Sequence, residues 1–380
     1  MLFSNRLEQF PEYIFSKLSR EAKIQEKETG REILDLSIGS PTFPPSKKYL
    51  KKLKEYIDVS GSMLYPGYGA TPEFSLGLID WYKKRFDVRL DYHELFPLLG
   101  AKDGVSHLTM ALTNEGDEIL VPDPGYPSYS GSAQMAGCKV VPYVLSEKNN
   151  FNLSILEIEK KITKKTRMVW INFPSNPTGQ VATLNDLIPL VELCKKNRIW
   201  LLYDNAYAEI VFNGYTSPSI LQIPGAKEIA VELGSFSKMS SFAGLRMGWI
   251  VGNSQAIAAL AKIKSQVDSG MSRPLQNLAA FILMNPDNKW RTKMIAQYEK
   301  NKEIVMNAFS QLGLRMENPK GALYLWAKIP NNANDSYSYC MKLMKDKQIL
   351  ITPGIAFGNS GDRFVRICFS NDITHIAKYL

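Results

Sequence analysis

Ser235-Phe236-Ser237-Lys238 and, shortly after, Gly244-Leu245-Arg246-Met247-Gly248 bring an amine, two hydroxyls and a guanidinium into one short stretch. The lysine stands just past the apolar run Ile229 to Leu233, and open α/β sheets present their ligands at the carboxyl ends of such strands. A partly buried lysine there loses proton affinity and becomes an amine nucleophile able to form a Schiff base. Ser235, Ser237 and the fork of Arg246 suit a phosphate dianion. Alone, the segment fits a surface lysine after a strand equally well, so other strand ends must carry matching chemistry for the reading to hold.

They do. Tyr203-Asp204-Asn205-Ala206-Tyr207 closes the apolar run Ile199 to Leu202. A carboxylate placed under a pyridine nitrogen keeps that nitrogen protonated and makes the ring an electron sink, and Tyr207 can donate to a ring hydroxyl. A third run, Met168 to Asn172, leads into Phe173-Pro174-Ser175-Asn176-Pro177-Thr178-Gly179, a turn that carries Asn176. Upstream, Leu99-Gly100-Ala101-Lys102-Asp103-Gly104 opens the helical run Val105 to Leu112, and a helix start of this kind offers backbone N–H groups to an anion. Pro122-Asp123-Pro124-Gly125-Tyr126 ends a further run with an aromatic that can stack on a flat heterocycle.

The elements that position these groups alternate. β-rich runs at Glu118 to Val121, Lys139 to Tyr143, Met168 to Phe173, Ile199 to Tyr203, Ile229 to Leu233 and Met247 to Val251 are separated by helical spacing at Leu153 to Ile162, Asn185 to Lys196 and Ala256 to Ser265. That order predicts βαβ units on a mostly parallel sheet. Gly321 to Ile329 and Arg363 to Phe369 alternate apolar and polar residues as half-exposed strands do, around a helical stretch at Ser336 to Lys347, and predict a smaller α+β domain. The N-terminal stretch with Leu7, Phe10, Pro11, Tyr13, Ile14, Phe15 and Leu18 is too apolar for a free arm and should pack on the neighbouring domain or a second subunit.

Together these residues are the ingredients of a pyridoxal 5′-phosphate (PLP) site, and their order and spacing resemble the class I/II aminotransferases of fold type I. The resemblance spans nearly the whole chain: Leu34-Asp35-Leu36-Ser37-Ile38-Gly39, Tyr65 to Phe74, Gly100-Ala101-Lys102, Asp123-Pro124-Gly125-Tyr126-Pro127, Asn176-Pro177-Thr178-Gly179, Asp204 to Tyr207, Ser235 to Gly248 and Arg366 occur in family order. It implies an α/β fold with a seven-stranded, mostly parallel sheet between helices in a large PLP-binding domain (46–284), a small C-terminal domain (285–380) and an N-terminal arm (1–45) that joins the small domain in part. It further implies Lys238 as Schiff-base lysine and proton shuttle, Asp204 as partner of the pyridinium nitrogen, Tyr207 and Asn176 at the ring oxygen, and Tyr126 stacked on the ring. Ser235, Ser237, Arg246 and the backbone of Ala101 and Lys102 would hold the phosphate, which Tyr65 would reach from the other subunit of a homodimer with shared active sites. Arg366 would clamp the substrate α-carboxylate beside Gly39 and Asn176, with Lys102 and Tyr126 also facing the substrate.

The Arg6-Leu7 to Leu18 segment, Asp123 to Tyr129, the run from Tyr215 to Lys227 and Asp268-Ser269-Gly270-Met271 resemble LL-diaminopimelate aminotransferases and the aspartate-type enzymes near them. Met239, Leu245, Ser175 and Ala70 depart from common family residues, and Ser40 and Thr42 stand where acidic residues are frequent, which leaves the amino donor open. The implied reaction moves an amino group between an L-amino acid and a 2-oxo acid, with 2-oxoglutarate/glutamate as one pair, in a ping-pong cycle. A PLP-dependent β-lyase of sulfur amino acids would need the same cofactor contacts. A catalytically silent PLP-binding regulator normally carries a DNA-binding domain, for which the roughly 30 residues before the first motif are too few. No G-x-G-x-x-G follows the first strand, which disfavours a dinucleotide-binding protein.

Composition bounds the rest. The 380 residues, 45% hydrophobic and 22% charged, suit a soluble globular chain of about two or three domains. No apolar run approaches the roughly 18 residues of a membrane span, and Met1 to Arg20 has charges scattered where a secretory segment needs an apolar core. A cytoplasmic protein is expected. Cys138, Cys194, Cys340 and Cys368 lie far apart with no CxxC pair, so neither a metal site nor a disulfide framework is expected. The net charge of +9 comes largely from short lysine pairs such as Lys51-Lys52 and Lys195-Lys196, which read as solvated helix faces and ends rather than a nucleic-acid surface. A positive field also favours anionic small molecules.

Overall fold

The computed structural model describes residues 3–4, 7–8, 10, 12–371, 373 and 375–379; Arg6 and Pro11 of the N-terminal stretch lie outside the described residues. After a short strand β1 (Leu34–Asp35), seven strands form one sheet: β2 (Leu95–Leu98), β3 (Glu118–Asp123), β4 (Lys139–Val144), β5 (Thr166–Asn172), β6 (Trp200–Asp204), β7 (Ala230–Ser235) and β8 (Gly248–Gly252). Their spatial order is β2-β8-β7-β6-β5-β3-β4, and β8 alone points against the others. Six of these strands coincide with the expected runs. The edge strand β2 was not expected, because Leu95-Phe96-Pro97-Leu98 is short and carries a proline, tolerated at a sheet edge.

The strands are almost continuously apolar because both faces of the sheet are covered. Val169, Ile171, Leu201 and Tyr203 point into a core shared with the helices Pro72–Phe86, Leu184–Asn197 and Arg273–Met284. Met168, Trp170 and Leu202 point the other way, against Ala101–Leu112, Pro127–Met135 and Ser254–Lys264. Each fully buried Leu or Ile here is worth roughly 1.5–3 kcal/mol over an exposed one. The helices start where the sequence caps them: Thr71 accepts from Phe74 N–H ahead of Pro72, and Thr183 and Asp186 form a reciprocal box. Leu153 to Ile162 yields only a short helix, Ile155–Glu159.

The smaller α+β part follows the helix Asn288–Gln311. Its strands are β9 (Arg315–Met316), β10 (Tyr324–Lys328), β11 (Ile349–Leu350), β12 (Thr352–Pro353) and β13 (Phe364–Cys368), with the order β12-β13-β10-β9 in an antiparallel sheet, while β11 pairs in parallel with β1. The expectation that β10 and β13 are half exposed is wrong. Both are buried, since Leu325, Ala327, Val365 and Ile367 face the helices Asn288–Gln311 and Ser336–Lys347, while Trp326 and Phe364 insert into the core of the large sheet. Among the described residues of the N-terminal stretch, Leu18 is buried with Ile33, Met344 and Leu350, and Phe15 packs on Phe357, whereas Leu7 and Tyr13 remain exposed.

Candidate active site

Strand register assembles the site. Asn172, the last residue of β5, pairs with Asp204, the last of β6, and Asp204 pairs in turn with Leu233 of β7. Ser235 closes β7 opposite Gly248, so antiparallel β8 brings Arg246 back to the same sheet end. Here a cavity of about 390 Å³ is lined by Gly39, Ala101, Lys102, Tyr126, Asn176, Asp204, Tyr207, Ser235, Ser237, Lys238, Arg246 and Arg366. Every expected site residue except Tyr65 therefore meets in one place.

Lys238 follows β7 in a single helical turn, Phe236–Met239, started by Ser235, whose hydroxyl accepts from Ser237 N–H at 3.2 Å. Its ammonium is buried and donates to the Gly39 carbonyl at 2.5 Å. Burial pushes its pKa down to about 8, with Arg366 and Arg246 adding repulsion. The Asp204 carboxylate accepts from Tyr129 Oη at 2.8 Å and from Ala206 N–H at 3.2 Å, while Asn172 Nδ2 holds the Asp204 carbonyl at 2.7 Å. Burial still raises its pKa, the condition of a carboxylate that a nearby cation would stabilise.

An anion cup lies beside them. The helix Ala101–Leu112 begins after Gly100, and its first N–H groups have no partner within the helix. Gly100 has φ +87°, and a Cβ there would lie 2.5 Å from Arg246 Nη2, so only glycine lets the arginine close over this turn. Across the cavity, Arg366 donates from Nη1 to Asn176 Oδ1 at 2.9 Å and from Nη2 to the Ser37 carbonyl at 2.5 Å and Thr352 Oγ1 at 3.4 Å. Its Nε is buried with no partner among the described residues. Of the five guanidinium N–H donors, Nε–H and one on Nη1 thus stay available for a carboxylate.

These features fit PLP. The buried carboxylate suits a protonated ring nitrogen, the depressed amine suits attachment, and the cup of N–H groups, hydroxyls and Arg246 suits a phosphate. Tyr65 is 84% exposed and does not line this cavity. The sequence reading missed Tyr13, Phe15, Tyr129, Asn172 and Tyr324, all of which line it. Asn172 was recoverable from the aligned strand ends, and Tyr129 closes the stretch Asp123 to Tyr129 already singled out for its resemblance, whereas Tyr324 lies in an apolar run and carries no motif.

The sequence profile of the family "Aminotransferase class I and II" matches residues 31–380. The LL-diaminopimelate aminotransferase of Aquifex aeolicus is 37% identical over 367 residues, covering 96% of this chain and 94% of its own length. LL-diaminopimelate aminotransferase 2 of Trichormus variabilis is 35% identical over 375 residues, covering 97% and 95%. Apo-BacF from Bacillus subtilis superposes with a TM-score of 0.94 at 29% identity, over 100% of this chain and 96% of that one. An aspartate aminotransferase single mutant of Thermus thermophilus, 20% identical, shares the fold with a TM-score of 0.93 over 100% of this chain and 98% of its own.

Proposed function

The chain belongs to the class I and II aminotransferases, PLP-dependent enzymes that move an amino group between an amino acid and a 2-oxo acid, and from that premise we propose how its residues divide the work. When bound, the cofactor supplies an electrophilic carbon and an electron-withdrawing ring that stabilises negative charge at the substrate Cα. Lys238 would be the point of attachment and then the base that takes the substrate Cα proton and passes it to the electrophilic carbon of the cofactor, so that the substrate can leave as a 2-oxo acid. Asp204, fixed by Tyr129 and Ala206, holds a proton on the ring nitrogen. Tyr207 and Asn176 address the ring oxygen, Tyr126 covers the ring, and Ser235, Ser237, Arg246 and the N–H groups of Ala101 and Lys102 bind phosphate. Arg366 clamps the α-carboxylate next to Gly39. The carrying observation is the buried, depressed Lys238 amine enclosed in one cavity with Asp204, Tyr207 and Arg366.

For the donor we propose LL-diaminopimelate, with 2-oxoglutarate as acceptor. The relatives of that name at 32–37% identity support it. So does a second polar corner of the cavity, where Lys102 Nζ lies 5.3 Å from the Tyr13 ring, which suits a donor with a second charged end. Glutamate formed from LL-diaminopimelate and 2-oxoglutarate, compared with aspartate as donor, tests the assignment. Preference for aspartate would overturn the donor, and pyruvate with ammonia from a sulfur amino acid would instead mark the β-lyase, which the relatives do not favour. We further propose a homodimer in which each copy offers Tyr65 to the other's phosphate, in keeping with the exposed Met63, Leu64, Tyr65 and Tyr68. Four free, buried cysteines suit a reducing, cytoplasmic setting. We also propose an arm (1–45), a large domain (46–284) and a small domain (285–380), a division supported at its last boundary by the break between the helices Arg273–Met284 and Asn288–Gln311.

A further inference from the structure

Tyr324, on β10, is buried with its hydroxyl 2.6 Å from that of Tyr207. Each phenol has one proton, so this contact has two forms with different consequences. If Tyr207 donates to Tyr324, the Tyr207 proton is spent and its oxygen turns lone pairs to the cavity. If Tyr324 donates, the Tyr207 proton is left for the cavity.

We propose that Tyr324 is a positioning residue for transamination: its hydroxyl donates to Tyr207, directs the Tyr207 proton at the ring oxygen of the cofactor, and is biased that way by the Arg366 cation against its ring. The proposal rests on the reading of Tyr207 as the ring-oxygen partner. The bias has a geometric source. The Arg366 guanidinium carbon lies 4.3 Å from the Tyr324 ring centroid, and a cation against the ring withdraws charge and makes its hydroxyl the better donor. The cation nearest the Tyr207 ring is Lys238 Nζ, farther off at 5.7 Å. Burial raises both phenols, Tyr324 to about 12 with Arg366 pulling against it, and Tyr207 well beyond its ordinary value with the facing Tyr324 raising it further. The other titratable groups facing the pair are Tyr126 and, toward Tyr324, Cys368. The position is also locked. A Cβ at Gly39 would collide with the Tyr324 hydroxyl, so the glycine leaves the phenol just the room it fills. A donated hydrogen bond polarises the next one in a chain, so Tyr324 strengthens Tyr207 as a donor.

The test is the pH dependence of visible absorbance of the holoenzyme, which reports the proton on the lysine–cofactor linkage, measured for wild type, Tyr207→Phe, Tyr324→Phe and the double variant. Phenylalanine keeps the ring under Arg366, so KM for the amino donor should stay within about twofold of wild type. Losing the Tyr207 donor should move the absorbance midpoint upward. Tyr324→Phe should move it the same way by less, about 0.5 pH, and the double variant should match Tyr207→Phe. A downward shift in Tyr324→Phe means that Tyr324 was the acceptor, and no shift means a purely structural tyrosine; either overturns the proposal. An unmoved midpoint in Tyr207→Phe would overturn the ring-oxygen reading itself, and the proposal with it.

Discussion

Lys238 and Arg366 show how one cavity makes two cationic side chains do opposite things. Lys238 must shed its proton to act as a nucleophile, and burial lowers its pKa from 10.5 to about 8. The amine fraction therefore falls about tenfold for each pH unit below 8. The rate at which apoenzyme takes up PLP covalently should follow that line, rising steeply from pH 6 and levelling off above 8; a rate still climbing tenfold per unit at pH 9 would mean an ordinary exposed lysine. Arg366 instead is held rigid, with its guanidinium carbon 4.3, 4.8 and 5.2 Å from the rings of Tyr324, Phe357 and Phe15. Arg366→Lys keeps the charge but loses the planar fork. It should weaken both half-reactions by roughly 1.5–3 kcal/mol, about ten- to a hundredfold in kcat/KM, with PLP still bound. Loss of PLP, or loss of activity toward one carboxylate partner alone, would place Arg366 elsewhere in the site.

At the scale of elements, the helix Ala101–Leu112 can cup a phosphate only if its first turn is fixed, and a buried ion cluster fixes it. Asp103 accepts from Leu99 N–H at 2.8 Å, His107 Nδ1 lies 2.7 Å from its Oδ1, and Lys264 Nζ, in a side chain only 2% exposed, lies 2.7 Å from Asp103 and 2.6 Å from Asp268. Asp103, His107 and Asp268 could between them ligate a metal, but the ammonium already sits against both carboxylates as their cation. Lys264→Met would take the shared ammonium from two partly buried carboxylates, leaving Asp103 to His107 and the Leu99 N–H, and should cost about 3–5 kcal/mol in urea unfolding of the apoenzyme, with weaker PLP retention. A cost below about 1 kcal/mol would show that the cluster is not what fixes the turn. The pairing was not legible beforehand, because Asp103 and Lys264 are 161 residues apart and nothing in the helix start around Asp103 names its partner. Strand ends were legible for a physical reason: strands covered on both faces read as unbroken apolar runs, and the polar residue that stops each run is the one delivered to the site. The same rule failed for β10 and β13, where alternation between two cores was taken for alternation between core and water, and it hid Tyr324, whose hydroxyl turns toward the cavity from a strand that otherwise reads as core.

The whole molecule raises a question of completeness. Val59, Met63, Leu64, Tyr65 and Tyr68 are 55, 69, 66, 84 and 62% exposed, a run of large apolar and aromatic side chains facing water within one short stretch of chain. Tyr65 does not line its own chain's cavity, so a role at phosphate requires a second copy, and a two-fold dimer would then exchange the two tyrosines reciprocally. Exchange and its absence are distinguishable by mixing two disabled chains. Lys238→Ala lacks its nucleophile, and Tyr65→Ala lacks the tyrosine offered to its neighbour. After subunit exchange at equal amounts, about half of the dimers are mixed. In each of those, the Tyr65→Ala chain keeps its own Lys238 and receives an intact Tyr65 from the other chain, which restores one of its two sites. Activity should therefore recover to about a quarter of wild type per total chain, above the sum of the two variants measured apart. Were Tyr65 to act within its own chain, every mixed dimer would carry one site without lysine and one without tyrosine, and mixing would recover nothing.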